Sequence, residues 1–267
     1  MKKVVLITGA SSGIGNAIAN YLHNKNFIVY GTSRNAENYK NIKFNLISLD
    51  VRNKESIQNA VNHIIDKEKS IDILINNAGV GITGALEEIP IEEIKNNFET
   101  NFFGPIEVIK AVLPYMRQNK NGLIINITSI AAYMGLPFRS IYSASKSALS
   151  ITTEALRMEL KPYNIKVCNV APGDFATNIA SGRYHAPVNE NSPYYTTYGS
   201  SLQMMNEHVD KGLDTNKMAK AIYNIIENKD VKIHYKVGLF MQKFSVLLKC
   251  ILPNNWFEKL LIKHYKL

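Results

Sequence analysis

Tyr142 and Lys146 lie four residues apart in a segment with helical apolar spacing. This spacing places both side chains on one face of a helix. A free tyrosine is a weak base at neutral pH, and a neighbouring ammonium group stabilises its ionised form. The pair therefore indicates proton transfer at Tyr142 with help from Lys146, although tyrosine and lysine often occur at this spacing without any such role.

Ser129 strengthens this interpretation. It ends the apolar segment Gly122–Ser129, thirteen residues before Tyr142. In a doubly wound sheet, reacting groups gather at the carboxyl ends of the strands. A hydroxyl group there can hydrogen-bond a substrate oxygen that gains negative charge. The alternative is that Ser129 only caps a helix or forms a turn.

A glycine-rich turn follows the first apolar segment, with glycines at Gly9, Gly13 and Gly15. Gly9 permits the turn, Gly13 lets the backbone approach a pyrophosphate, and Gly15 lets helix and strand pack closely. The helix that follows offers unpaired N–H groups and partial positive charge to phosphates. The turn predicts a nucleotide site, whereas a purely steric role for the glycines is the alternative.

The end of the second apolar segment bears on the choice of nucleotide. An NAD enzyme usually has an acidic residue here, which holds the free ribose 2′-hydroxyl. This chain has Ser33 and Arg34 instead. Arg34 can pair with a 2′-phosphate and Ser33 can donate a hydrogen bond to it. The pattern favours NADP(H), and the alternative is a solvated surface arginine.

The elements that must position these residues alternate along the chain. The predicted strands are Val4–Thr8, Ile28–Thr32, Phe44–Asp50, Ile71–Asn76, Gly122–Ser129, Lys166–Ala171 and Lys232–Val237. The predicted helices are Ile14–Asn24, Ile57–Lys67, Ile91–Phe103, Ile106–Gln118, Ser143–Lys161 and Asn216–Asn228. This alternation predicts parallel strands joined by right-handed crossovers. We therefore expect a single-domain α/β Rossmann fold, with a doubly wound seven-stranded parallel sheet and helices on both faces.

Two regions interrupt the alternation. We expect the catalytic domain to span residues 1–237 and to contain a substrate lid at about 174–214, a polar segment with several tyrosines. These tyrosines, with Met204 and Met205, either line an apolar pocket or form an aromatic surface or oligomer contact. The apolar and basic extension 238–267 either packs on the domain and covers the pocket or a neighbouring subunit, or touches an anionic membrane.

Composition narrows the classes of protein. The 31 Lys and Arg exceed the 22 Asp and Glu by nine, but they are scattered, which favours a solvated surface over nucleic-acid binding. Two cysteines are too few for a disulfide framework, and we expect a cytoplasmic location. The apolar run after the first three residues is too short for a signal peptide, and no run is long enough to span a membrane. No metal-ligand spacing occurs, so we expect no catalytic metal.

Together these motifs resemble the short-chain dehydrogenase/reductase family. The resemblance covers about residues 3–178. The motifs that carry it are the Thr8–Gly15 turn, Asp50 with Val51, the segment Asn76–Gly79, Asn101, Ser129, the pair Tyr142 and Lys146, and Pro172-Gly173 with Thr177. It implies hydride transfer between a nicotinamide cofactor and a carbonyl or secondary alcohol.

The resemblance also implies roles for four catalytic residues. Asn101 is similar to the family's helix-kinking asparagine, whose backbone holds a water molecule in a proton relay. Ser129 would orient the carbonyl, and Tyr142 would exchange the proton. Lys146 would hold the nicotinamide ribose and act on Tyr142.

For cofactor binding, the resemblance implies three groups of residues besides Ser33 and Arg34. The turn contributes Gly9, Ser11, Ser12, Gly13, Ile14 and Gly15. The adenosine end lies beside Asp50, Val51, Asn77, Ala78 and Gly79. The nicotinamide end lies beside Tyr142, Lys146, Pro172, Gly173 and Thr177.

The class of substrate is indicated by the C-terminal extension and not by the motifs above. The C-terminal extension is similar to the branch near hydroxysteroid and retinol dehydrogenases, which by analogy favours a lipophilic alcohol or ketone. The family implies a homodimer or homotetramer. Two other functions stay open, namely a nucleotide-binding protein without turnover and an NAD-dependent dehydrogenase of a small polar alcohol.

Overall fold

Short runs of Val, Ile and Leu form the centre of the fold because a strand covered by helices on both faces needs apolar side chains on both sides. The computed structural model of the chain describes residues 2–176, 182–210 and 212–267. The described strands are β1 (Val4–Ile7), β2 (Ile28–Ser33), β3 (Asn45–Ser48), β4 (Ile73–Asn76), β5 (Ile82–Thr83), β6 (Gly122–Ile127), β7 (Ile165–Pro172), β8 (Tyr184–His185) and β9 (His234–Val237).

Seven of these strands form one parallel sheet in the order β3-β2-β1-β4-β6-β7-β9. The direction of winding reverses between β1 and β4, so the loops that leave these two strands separate and open a crevice. The short strands β5 and β8 pair beside the main sheet. The chain is a single α/β domain, which confirms the predicted fold and all seven predicted strands.

The helices cover both faces of the sheet. They are α1 (Gly13–Asn24), α2 (Lys54–Glu68), α3 (Ile91–Phe98), α4 (Gly104–Gln118), α5 (Ser140–Leu160), α6 (Tyr195–Asp210), α7 (Thr215–Glu227), α8 (Phe240–Ile251) and α9 (Asn254–Tyr265). Alternate residues of β1 point to opposite faces. Val5 and Ile7 pack in the core on the side of α1 and α7, whereas Val4 and Leu6 pack in the core on the side of α2 and α4.

The sequence predicted two separate helices here, but in the structure α3 and α4 are continuous. A π-helical turn at Glu99–Phe103 joins them. Gly104 starts α4, and a Cβ atom at this position would lie 2.9 Å from the side chain of Val51. The glycine therefore lets α4 approach the loop after β3, and the π turn places Asn101 inside the protein.

The segment predicted as a lid, at about 174–214, contains regular structure, because residues 195–210 form the helix α6. The helix is mostly polar, and its contact face is carried by Tyr198, Ser201 and Met205, all buried. These residues are spaced by three and four positions, but Ser201 is polar and the apolar Leu202 and Met204 stand between them, so the sequence shows only a weak periodicity. Tertiary packing on β5 and β8 stabilises the helix, because Tyr198 donates hydrogen bonds to the carbonyl groups of Thr83 and Ala186.

The C-terminal extension forms α8 and α9, joined at Leu252 and Pro253. Val246 and Phe257 are buried and pack with Ile130 and Met134, in the segment that follows β6. The outer surfaces of both helices remain exposed.

Candidate active site

The glycine turn lies at the carboxyl end of β1 and is held by the loop after β4. Gly9 has a φ of +67°, a conformation that favours glycine, and a Cβ atom there would lie 2.9 Å from Cα of Ala78. The side chain of Asn77 donates hydrogen bonds to the carbonyl groups of Thr8 and Gly9, at 2.9 and 3.0 Å. A Cβ atom on Gly15 would lie 2.3 Å from the Gly9 oxygen. The turn is therefore locked in a shape that only small residues permit.

A cavity of about 570 Å³ opens over this turn. The predicted cofactor-binding residues that line it are Gly9, Ser11, Ser12, Gly13, Ile14, Ser33, Arg34, Asp50, Val51, Asn77, Ala78, Gly79, Tyr142, Lys146 and Pro172. Ser12 precedes α1 and makes no side-chain cap, and the first turn of α1 contains no acidic residue. The N–H groups at this helix end therefore face the cavity with their partial positive charge uncompensated.

One end of the cavity is basic. Arg34 is exposed at the end of β2, and Asp50 follows β3 nearby. Burial alone would raise the pKa of Asp50, but hydrogen bonds from Arg52 and the charges of Arg52 and Arg34 lower it below its usual range. Asp50 is thus ionised, and its ion pair with Arg52 measures 3.3 Å.

At the other end, Tyr142 and Lys146 occupy the first turns of α5, and both are buried. Nζ of Lys146 donates a hydrogen bond to the carbonyl group of Ile127 at 3.0 Å. Burial lowers the pKa of Lys146 to about 8. Gly79 lies directly opposite, because a Cβ atom there would lie 3.2 Å from Nζ. The ammonium group is therefore desolvated and held at the cavity wall.

Asn101 is fully buried in the π turn, and its side chain is saturated by protein contacts. Its Oδ1 accepts from the backbone N–H of Val80 and its Nδ2 donates to the Val80 carbonyl, both at 2.9 Å. Nδ2 also lies within hydrogen-bond distance of Asn97 and Ser145. The side chain therefore ties the loop after β4 to α5 at Ser145, the residue directly before Lys146, and leaves only backbone groups of Asn101 for other roles.

Ser129 caps the short helical turn Ile130–Tyr133 and accepts a hydrogen bond from the Ala131 N–H at 3.1 Å. It also lines a second cavity, of about 430 Å³, together with Tyr142. Ser129 can therefore cap this turn and also serve the second cavity, because its hydroxyl group can still donate its own hydrogen.

This second cavity is mainly apolar and lies between α6, α8 and α9. Its apolar lining includes Ile130, Met134, Leu136, Met204, Met205, Met241, Leu248, Phe257, Leu260 and Leu261. The two cavities share four lining residues, namely Ile14, Gly81, Tyr142 and Pro172. Tyr142 therefore stands at the border between a polar cavity and an apolar one.

Comparison with known proteins identifies the family. The profile described as short chain dehydrogenase matches residues 3–187. The chain belongs to this family. Over 258 residues it is 41% identical to a 3-ketodihydrosphingosine reductase of Bacteroides thetaiotaomicron, covering 96% of this chain and 95% of the relative.

Two solved structures extend the comparison. A short-chain dehydrogenase from Streptomyces avermitilis superposes with a TM-score of 0.81 at 33% identity, covering 92% of each chain. The structure of ElxO with NADP bound superposes with a TM-score of 0.71 at 28% identity, covering 89% of this chain and 97% of the other. These matches confirm the predicted family and fold.

Not every predicted site residue of this short-chain dehydrogenase lines the first cavity. Gly15 is packed behind the turn, as described above. Gly173 lines only the second cavity, where a Cβ atom would lie 2.0 Å from Oε1 of Gln242. Thr177 lies outside the described residues.

The structure also places polar residues at the second cavity that the sequence analysis missed. The guanidinium group of Arg139 lies 5.2 Å from the ring centre of Tyr142. Arg139 directly precedes α5, three residues before Tyr142, and this spacing could have pointed to the contact. Asp174 accepts a hydrogen bond from Nε2 of Gln242 at 2.6 Å. No local pattern relates these two residues, because they are far apart in the sequence.

Two wider features of the described residues bear on the chemistry. No group of three or more His, Cys, Asp or Glu side chains converges among them as metal ligands would. No helix in the described ranges is long and apolar enough to cross a membrane.

Proposed function

We propose that this short-chain dehydrogenase is an NADP(H)-dependent reductase of a ketone group in a long-chain, lipid-like substrate. The observation that carries the proposal is the position of Tyr142 between the polar and the apolar cavity. A dinucleotide in the first cavity and an alkyl substrate in the second would meet at this residue.

The first cavity has the features that a dinucleotide requires. The glycine turn leaves room for a pyrophosphate, and the N-terminus of α1 offers N–H groups to it. Ser33 and Arg34 line the end that would take the adenosine 2′-phosphate. Arg34 supports NADP(H) rather than NAD(H), since a guanidinium group binds phosphate through two hydrogen bonds.

Bound NADPH would supply the hydride. Tyr142 donates its phenolic proton to the substrate oxygen, and the Ser129 hydroxyl hydrogen-bonds the same oxygen as negative charge develops. Lys146 holds a positive charge beside Tyr142 and stabilises the phenolate that remains. The apolar walls of the second cavity exclude water from this transfer.

The lining of the second cavity supports a lipid-like substrate. Its apolar residues come from α6, α8, α9 and the segment after β6, and they would bury an alkyl chain. The Bacteroides relative, which carries the name of a reductase of a long-chain amino ketone, spans nearly the whole of both chains. This supports a ketone next to a long alkyl chain, such as 3-ketodihydrosphingosine.

A chain-length series tests the substrate class. The protein with NADPH is mixed with 3-ketodihydrosphingosine, with shorter homologues and with small polar ketones, and oxidation of the nicotinamide is followed by absorbance. We expect kcat/KM to rise with chain length, by up to about fourfold for each CH₂ group buried. Equal or faster reduction of small polar ketones contradicts the lipid assignment.

Tyr142→Phe tests the proton donor. We expect a loss of about 10²- to 10⁴-fold in kcat, with NADPH affinity retained. Tyr163→Phe is the matched control, because Tyr163 is exposed and lies outside both cavities. Full activity of the Tyr142 variant rules out this mechanism. Binding of NADPH without turnover of any ketone favours a nucleotide-binding protein instead.

A further inference from the structure

The outer faces of α8 and α9 carry the same pattern of exposed residues. On α8 the apolar residues are Phe240, Phe244, Leu247 and Ile251, and Lys243 lies beside Phe244. The apolar residues lie three or four positions apart and therefore form one stripe along the helix. Phe240 is 71% exposed and its ring stacks on Phe244 at 5.6 Å between centres. Phe244 is itself partly exposed, and a contiguous exposed apolar patch of this kind marks an interaction site.

The stripe on α9 has the same spacing, with Trp256, Lys259, Leu260 and Lys263, and Leu267 follows just after the end of the helix. Trp256 is 65% exposed. We call the two stripes together the tail face. On both helices lysines stand beside apolar residues of the stripe, so their long stems can lie against apolar groups while the ammonium groups reach a polar layer.

The C-terminal extension is mainly basic. Residues 238–267 contain five lysines and a single acidic residue, Glu258. Like charges on the tail face would repel those of a second copy placed against it. An anionic lipid surface complements both features. Its charged headgroups attract the lysines, and the hydrocarbon beneath them accommodates the apolar side chains.

The second cavity reaches the surface beside the tail face. Met241 on α8 and Leu260 on α9 line this cavity and are nevertheless 65% and 48% exposed. The inner faces of the same helices form the cavity wall through Leu248, Phe257 and Leu261. The exposed rim of this wall therefore gives a long alkyl chain a path into the cavity beside the tail face.

We propose that the tail face docks on an anionic lipid bilayer and opens the second cavity to it. Each helix has 12 residues and is therefore about 18 Å long, well below the roughly 30 Å of a hydrocarbon core. The helices thus lie in the interface rather than cross it. This proposal goes beyond the reductase reaction and concerns how a lipid reaches the site.

Trp256 is the only tryptophan of the chain and gives a direct signal. The full-length protein is mixed with vesicles of phosphatidylcholine containing phosphatidylglycerol, and with vesicles of phosphatidylcholine alone. We expect a blue shift of tryptophan emission and co-sedimentation with the anionic vesicles, both reduced by salt. A shift that occurs without vesicles and grows with protein concentration overturns the proposal in favour of a second copy.

Variants separate the apolar and the charged contributions. Phe240→Ser and Ile251→Ser should each weaken vesicle binding at least about tenfold. Lys259→Gln and Lys263→Gln should each weaken it about fivefold on anionic vesicles. The matched control is Leu86→Ser with Ile91→Ser, which removes two residues that are each 59% exposed elsewhere on the surface. Unchanged binding in the tail variants, or an equal loss in the control, overturns the proposal.

The readout is independent of turnover. Vesicle binding by Tyr142→Phe should equal that of the wild type, since Tyr142 is buried away from the tail face. Absence of binding to either vesicle refutes membrane docking even if the ketone is reduced. Binding without reduction refutes the proposed reaction and leaves the docking surface in place.

Discussion

Lys146→Met should make the protein without cofactor more stable at neutral pH while abolishing oxidoreductase activity. Burial lowers the pKa of Lys146 from 10.5 to about 8. The unfolded chain therefore binds this proton more tightly than the folded one, and the folded state is penalised wherever the lysine is charged. The penalty is fully present below pH 8 and disappears above the unfolded pKa of 10.5.

The size of the effect follows from these values. At about 1.4 kcal/mol per pH unit, the lowered pKa corresponds to about 3 kcal/mol of folding free energy at pH 7. Methionine has a similar shape and no charge, but it leaves the Ile127 carbonyl without the hydrogen bond from Nζ. That loss costs about 1 kcal/mol. The net gain in the free energy of unfolding is therefore about 2 kcal/mol at pH 7.

Urea denaturation followed by circular dichroism measures this difference. The gain should shrink as the pH rises from about 7 to about 10, because the wild type then loses its buried charge. Lys220→Met is the control, since Lys220 is exposed on α7, and its effect should stay within about 0.5 kcal/mol at every pH. A variant that is less stable than the wild type at pH 7, or a difference that does not change with pH, refutes the reasoning.

Three further substitutions probe the turn, the phosphate end and the second cavity. Gly15→Ala should destabilise the fold by about 2–3 kcal/mol in thermal denaturation, because its Cβ atom would lie 2.3 Å from the Gly9 oxygen; a wild-type melting temperature contradicts this. Arg34→Ala should weaken NADPH binding about 10- to 100-fold and leave NADH binding unchanged, as measured by titration calorimetry; an unchanged ratio removes Arg34 from the phosphate site. Gly173→Ala should cost about 1–2 kcal/mol by displacing the Gln242 amide, and adding Gln242→Ala should cost little more. Additive effects of the last pair contradict the contact.

The sequence alone determined the fold class, the seven strands and most of the predicted cofactor-binding residues that line the first cavity. These features depend on short-range geometry. The three glycines that permit the turn lie within a few residues of one another, and the helix period places Tyr142 and Lys146 on one face. A run of Val and Ile long enough for a strand is also visible in the sequence itself, so the strands could be predicted without knowing how the helices pack.

The second cavity and α6 were decided by tertiary structure. Met205 of α6 and Phe257 of α9 meet at this cavity although they are distant in the chain. The contact of Gly173 with Gln242 likewise joins β7 to α8. Sequence spacing carries no information on such pairs, since their approach depends on how whole helices pack. For the same reason only the structure placed Tyr142 at the border of the two cavities, because one cavity is built by local motifs and the other by distant helices.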